Sequence, residues 1–250
     1  MTVAPPATNN NKVSYQLCIG LEPPTKRSSA DDVEKAITFT CHRTPGDVET
    51  PKYMLKAYPF EDGQGPETYI LTLQKMQEIA KGQNITTTEH KVVLVRQLFK
   101  GSVLTAFGSE LPENTRLQET HYRNGMRAMA KVVFPDKAYR NQKKALKRLK
   151  KPKEMTFRVF ANRMKKLNEY LVHFPVLPNG SAPRALPHDE LAEVLHDALP
   201  KKGYQDVMQQ HDYDPTSSTI QQFTEWVERR CEPFDNPPIK NDSQQPAKVP

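Results

Sequence analysis

Two short stretches hold the residues best suited to chemistry. In HDELAEVLHDAL, His188, Glu190, Glu193, His196 and Asp197 bring imidazoles and carboxylates close together in sequence, the ingredients of a zinc site or an acid–base pair. His188 and His196 are eight residues apart, about 12 Å along a helix, too far to share one metal ion. Asp189 and Glu190 instead suit a helix N-terminus electrostatically, and the others form its wet face. In HDYDP, Asp212 and Asp214 stand two residues apart, as in some metal and nucleotide-sugar sites. No further carboxylate cluster joins them, and aspartate before proline is a turn starter. Gly-x-Ser-x-Gly, phosphate-loop, dinucleotide-fingerprint and His-Glu-x-x-His patterns are absent from the sequence. The expectation is a chain with no catalytic residues, no metal and no cofactor, and so not an enzyme.

The third stretch carries charge. Between Lys137 and Glu154 the sequence KAYRNQKKALKRLKKPKE holds nine lysines and arginines, and its only acid is Glu154. One-signed charge repels itself unless an anion lies near, although lysine-rich helix faces are commonly just solvated. Lys143, Lys144, Lys147, Arg148, Lys150 and Lys151 are the candidates for holding a phosphate backbone. If each met one phosphate of a single strand, the log–log salt slope of binding would be about −4. No aromatic ladder accompanies the charge, so base stacking is not indicated.

The whole chain leans the same way. Its 250 residues carry a formal charge of +7, with a pI near 9.2 and a mean hydropathy of −0.73, which favours polyanions such as RNA or acidic lipid and predicts half-exposed helices. Cys18, Cys41 and Cys231 are too few and too scattered for a disulfide framework or a Cys-x-x-Cys zinc site, which fits a reduced, cytoplasmic setting. No apolar run approaches the length needed to span a bilayer. The sequons at Asn84 and Asn179 are therefore read as chance matches.

Positioning these residues requires a mainly helical frame. Residues 1 to about 12 and 236 to 250 read as flexible tails, rich in Pro, Asn, Gln and Ser. KVSYQLCI, AITFTCHR and KYMLKAYPF alternate apolar with polar residues and predict a small β element. From Glu67 the period becomes helical: Tyr69, Ile70, Leu73, Met76, Ile79 and Ala80 share a face, with Gly82 as the stop. Thr86 and Glu89 form a capping box for the next helix, which ends at Gly101, and SVLTAFGSEL follows. Thr115 to Phe134 is a fourth helix. The basic stretch is expected to be an amphipathic helix packed through Ala138, Tyr139, Gln142, Ala145, Leu146 and Leu149. Phe157, Phe160, Met164, Leu167 and Leu171 mark the clearest helix, before a proline-rich loop. Helical stripes from Leu191 and from Ile220 follow, the last with Ser218 and Gln221 as its capping box. Trp226 lies beside that stripe, as core or interface anchor.

The order of these motifs resembles the Gag capsid region of long-terminal-repeat retrotransposons, relatives of retroviral capsid proteins. FEDGQGPETYILTLQKMQEI supplies Phe60, Gly63 and Glu67 at the start of an N-lobe, and VRQLFKGSVLTAF supplies Leu98 and Gly101 at a helix junction. PKEMTFRVFANRMKKL is similar to the retroviral major homology region, with Glu154, Phe157, Phe160 and Arg163 in place. Lys150 and Lys151 replace the Gln-Gly that usually opens that region, and no Cys-His zinc knuckle follows Cys231 within these residues. The resemblance covers about residues 58 to 233. It implies an all-α, two-lobed capsid-like helical bundle, an N-lobe (58–135) and a C-lobe (136–233) with the homology region at 150–167; outside it, pattern and composition give an extended or β-like, partly flexible N-terminal arm (1–57) and a flexible tail (234–250). Phe157 and Phe160 would hold the C-lobe core, with Glu154 and Arg163 tying the turn to the helix. The implied function is self-assembly into cytoplasmic virus-like particles that package single-stranded RNA. The competing expectation is a domesticated Gag-like nucleic-acid-binding adaptor that builds no particles.

Overall fold

A computed structural model of the chain describes residues 19–23, 35–44, 52–177 and 180–231. The expected tails, Cys18, Asn179 and most of the KVSYQLCI stretch lie outside the described residues. Within them the protein is mainly α-helical with a small β element near the N-terminus, and it divides into two compact units. Of the described residues, the first comprises those from 19 to 145 and from 170 to 184, the second those from 146 to 169 and from 185 to 231.

In the first unit, β1 (Ile37–His42) pairs antiparallel with β2 (Lys52–Ala57), Phe39 opposite Leu55 and Cys41 opposite Tyr53. Alternation turns Phe39 and Cys41 inward. Four helices follow: α1 (Pro66–Gly82), α2 (Thr88–Leu98), α3 (Gly101–Gly108) and α4 (Glu119–Val133). Pro66 opens α1, where a missing amide proton costs nothing. Gly82, expected as the stop, remains helical, and the chain turns at Asn84, with φ of 52°. Gly82 serves close approach instead: a Cβ there would stand 2.6 Å from the Cβ of Cys41. The α2 cap also differs, Thr87 rather than Thr86 accepting the amide of His90.

An aromatic core ties the unit together. Tyr69 on α1 lies 5.5 Å from Phe60, 5.6 Å from Phe99 and 5.9 Å from Phe134, centroid to centroid. Phe60 and Phe99 also share a parallel bridge, the Phe60 amide donating to Leu98 O and the Lys100 amide to Phe60 O. Just beyond it, Asp62 caps α3: both carboxylate oxygens accept the Ser102 amide, at 3.0 and 2.9 Å, and Oδ1 accepts the Ser102 hydroxyl. These bonds hold the Asp62 carboxyl below the usual aspartate range, the backbone amide contributing most. Gly101, at φ of 66°, makes the approach possible, since a Cβ would fall 2.3 Å from Asp62 Oδ2.

The expected lobe boundary at 135/136 moves. Phe174 packs 4.6 Å from Phe134, and the hydroxyl of buried Tyr170 donates to the buried carboxylate of Glu67 at 3.1 Å, so residues 170–184 return to the first unit. Described residues of the 1–57 segment also pack on the helices of the first unit. Gln83 donates to Thr40 O, and the fully buried Gln142 clamps Ile19 by accepting its amide and donating to its carbonyl.

The second unit is built on α6 (Phe157–Tyr170, up to Glu169), α7 (His188–Ala198), α8 (Asp206–Gln210) and α9 (Ile220–Arg230). Phe157, Phe160, Met164 and Leu167 are fully buried, as are Leu195, Phe223 and Val227. Phe157 meets Phe223 edge-on at 5.3 Å. Asn168 repeats the amide clamp, donating to Leu186 O and accepting the Leu186 amide. The capping box of α9 is Thr219 with Gln222, one residue after the expected Ser218 and Gln221.

Candidate nucleic-acid interface

The basic stretch divides where its helix ends. α5 (Ala138–Leu146) stops short of the expected Leu149, and the boundary between the units falls between Ala145 and Leu146. The reason lies in α7. Its last carbonyls lack intrahelical donors, and the basic segment supplies them: the Lys151 amide donates to Ala198 O at 3.0 Å and Lys150 Nζ to Asp197 O. A cation at a helix C-terminus is also favoured by the helix dipole. Lys147 pairs with Glu190 in the first turn of α7, and Lys151 Nζ lies over the Tyr204 ring, 5.5 Å from its centroid.

Three of the six candidate phosphate ligands, Lys147, Lys150 and Lys151, are thus engaged within the second unit. Arg148 is exposed there, Lys144 is exposed on α5, and Lys143 is half-buried. A single lysine-rich helical face running to residue 151 is replaced by a short helix and a segment laid along α7.

The four residues expected to form a major-homology-like segment behave unequally. Phe157 and Phe160 are in the core, and Arg163 is buried. Glu154 is exposed, and among the described residues no hydrogen bond or ion pair joins it to Arg163. The expected Glu154 tie is therefore absent. A different ion pair links the start of α6 to α9: Arg158 grips Glu228 with two donors, Nε at 2.7 Å from Oε1 and a terminal nitrogen on Oε2. The Arg158 hydrogen bonds hold the Glu228 carboxyl below its usual range. A depressed folded-state value stabilises the fold above the unfolded carboxylate range of about 4.3, and that contribution is lost as pH falls through the folded value. Glu228→Gln is expected to lower stability at pH 7 by up to about 1 kcal/mol. In urea unfolding, the gap between parent and variant should close toward pH 3, and a gap of constant size would remove the pair from the account.

Trp226 is half-buried and stacks on Tyr213 at 4.2 Å, with His211 edge-on at 6.0 Å. Asp214 caps a turn, accepting the Thr216 hydroxyl and amide, which hold its carboxyl below the usual range. Asp212 sits at φ of 47° in the preceding turn, which ends α8. On α7, His188, Glu193 and Asp197 are exposed. Among the described residues no group of three or more His, Cys, Asp or Glu side chains could hold a metal ion, and no helix is long and apolar enough to cross a membrane.

One feature of the first unit was not foreseen. A groove of about 450 Å³ runs between β1 and α2, lined by Thr40, His42, Gln83, His90 and Val93 among others. His42 Nδ1 is buried there, with no hydrogen-bond partner among the described residues. The only sequence signal is the spacing of His90, Val93, Leu94 and Gln97, one helical face of mixed polarity. Family models, curated proteins and solved structures yield no match to this chain.

Proposed function

We propose that the chain is a Gag-like structural capsid protein of a long-terminal-repeat retrotransposon, self-assembling in the cytoplasm into virus-like particles that package RNA. The observation that carries this reading is the segment from Phe157 to Arg163. Its aromatic and arginine positions match the major homology region in sequence, and Phe157, Phe160 and Arg163 are all buried at the head of α6. Two compact helical units are the frame such a protein needs. Each would supply modest contacts, and repetition across many copies would convert them into a closed shell through effective concentration. No reaction is assigned to the chain.

A second reading, a nucleic-acid-binding adaptor that builds no particles, is favoured by the exposed, predominantly positive charge of residues 127–144, where Asp136 is the lone acid. Negative-stain electron microscopy with and without single-stranded RNA, paired with sedimentation velocity across a salt series, separates the two. Regular shells or sheets are the expected result. A small species that binds RNA in a salt-sensitive way and never assembles would replace the capsid reading with the adaptor.

A further inference from the structure

With Lys147, Lys150 and Lys151 engaged on α7 and Tyr204, the basic stretch keeps Arg148 and Lys153 open in the second unit, and the longer open series lies earlier in the chain, in the first unit. Between Arg123 and Lys144 there are seven lysines and arginines against one acid, Asp136. On α4, Gly125, Met129 and Ala130 are buried, and Gly125 is seated against the Phe107 ring. This inward face leaves Arg123, Arg127 and Lys131 outward at intervals of four, all exposed. Lys137, Arg140 and Lys144 continue the exposed series around α5. Arg123 is partly neutralised by Glu119 at 3.6 Å. Among the described residues the side chains of Arg127, Lys131, Lys137, Arg140 and Lys144 join no hydrogen bond, ion pair or ring contact. Lys137 is held at φ of 61°, a conformation that favours glycine, so a cation is present there at a conformational cost.

We propose that these five side chains form the surface that holds the phosphate backbone of single-stranded RNA, in place of the run from Lys147 to Lys151. The inference rests on the reading of the chain as one that binds RNA, and it names the face that does so. Uncompensated like charge is destabilising until an anion neutralises it. Arg127 and Lys131, like Arg140 and Lys144, are about 6 Å apart along their helix axes, which lets neighbouring cations meet successive phosphates of one strand. Arginine adds a planar fork that bonds phosphate through two donors. An acidic membrane is the poorer fit, because membrane-surface helices insert large apolar side chains. Here the apolar face of α4 is turned into its own unit, and Val132 is its exposed large hydrophobic residue.

The test compares two variants of the full chain binding a fluorescent oligouridylate across a salt series. One carries R127Q, K131Q, R140Q and K144Q; the other carries K147Q, K150Q and K151Q. At about 0.7 in slope per phosphate, the first is expected to flatten the log–log slope by about 3 and weaken binding at least tenfold at low salt, with a melting temperature no lower than the parent's. The second is expected to keep the parent slope and melt earlier. A first variant with the parent slope, or a second with the larger slope change, overturns the proposal. So does a first variant that loses phosphatidylserine vesicle binding while its RNA slope stays intact. Imaging both variants without RNA keeps the capsid reading separate: shells that persist leave it standing whatever the slopes show. A parent that never assembles yet shows the expected slopes removes only the capsid reading.

Discussion

Phe157→Ala is expected to destabilise the second unit by about 3–5 kcal/mol, the largest effect of any single substitution considered. The side chain is fully buried, meets Phe223 edge-on and begins α6. Its removal deletes transfer free energy, leaves a cavity, and forfeits the edge-to-face contact, itself about 0.5–1.5 kcal/mol. Phe223 also faces Tyr213 at 6.0 Å, and Tyr213 stacks on Trp226, so loosening should spread along this chain of rings. Tryptophan emission followed through urea unfolding is the direct measurement, because Trp226 is the only tryptophan in the chain. The midpoint should fall sharply. A midpoint within experimental error of the parent would mean that Phe157 does not anchor the unit, and the proposed capsid reading would lose the observation that carries it.

The second large effect has an unusual sign. Glycine inside a helix ordinarily costs about 1 kcal/mol relative to alanine, so Gly125→Ala on α4 would stabilise most helices. Here a Cβ at residue 125 would stand 2.6 Å from the Phe107 ring and 3.2 Å from the Phe107 carbonyl oxygen. Phe107 is fully buried and contacts Tyr122 edge-on at 6.1 Å, so neither ring nor backbone can yield cheaply. Overpacking of this kind costs about 1–3 kcal/mol, enough to cancel the propensity gain and reverse it. Calorimetry of Gly125→Ala should show a lower melting temperature than the parent. A rise would show that α4 can slide away from α3 and that the close approach is not required.

What the sequence made legible was periodic. Tyr69, Ile70, Leu73 and Met76 announced α1, Phe157, Phe160, Met164 and Leu167 announced α6, and the alternation in ITFTCH announced β1, because each depends only on local spacing. Caps were legible in type and wrong by one residue. TTTE and SSTIQQ each offer adjacent hydroxyls, and only the helix entry angle decides that Thr87 and Thr219 are the ones used. The basic stretch was misread for a different reason. Lys150 and Lys151 find their acceptors at Asp197 and Ala198, more than forty residues away in sequence, and no local pattern reports that a distant helix has carbonyls to satisfy. Gln142 and Asn168 were invisible as clamps for the same reason, since each bonds the backbone of a segment whose own sequence carries no signal. The cations proposed to hold RNA are those that remain once the ones the fold already uses are set aside.

The return of residues 170–184 to the first unit has a consequence for synthesis. Glu67 meets Tyr170 across 103 residues of chain, and Phe134 meets Phe174. A chain emerging from the ribosome therefore cannot complete its first unit when Ala145 appears. It must wait, with Glu67 and Phe134 lacking these partners, until the residues that open the second unit have passed and Arg184 has followed. Bringing such remote segments together costs loop-closure entropy before any contact repays it. A ribosome stalled after residue 145 should thus display a first unit open to proteases, and one stalled far enough downstream to release Arg184 should display it closed.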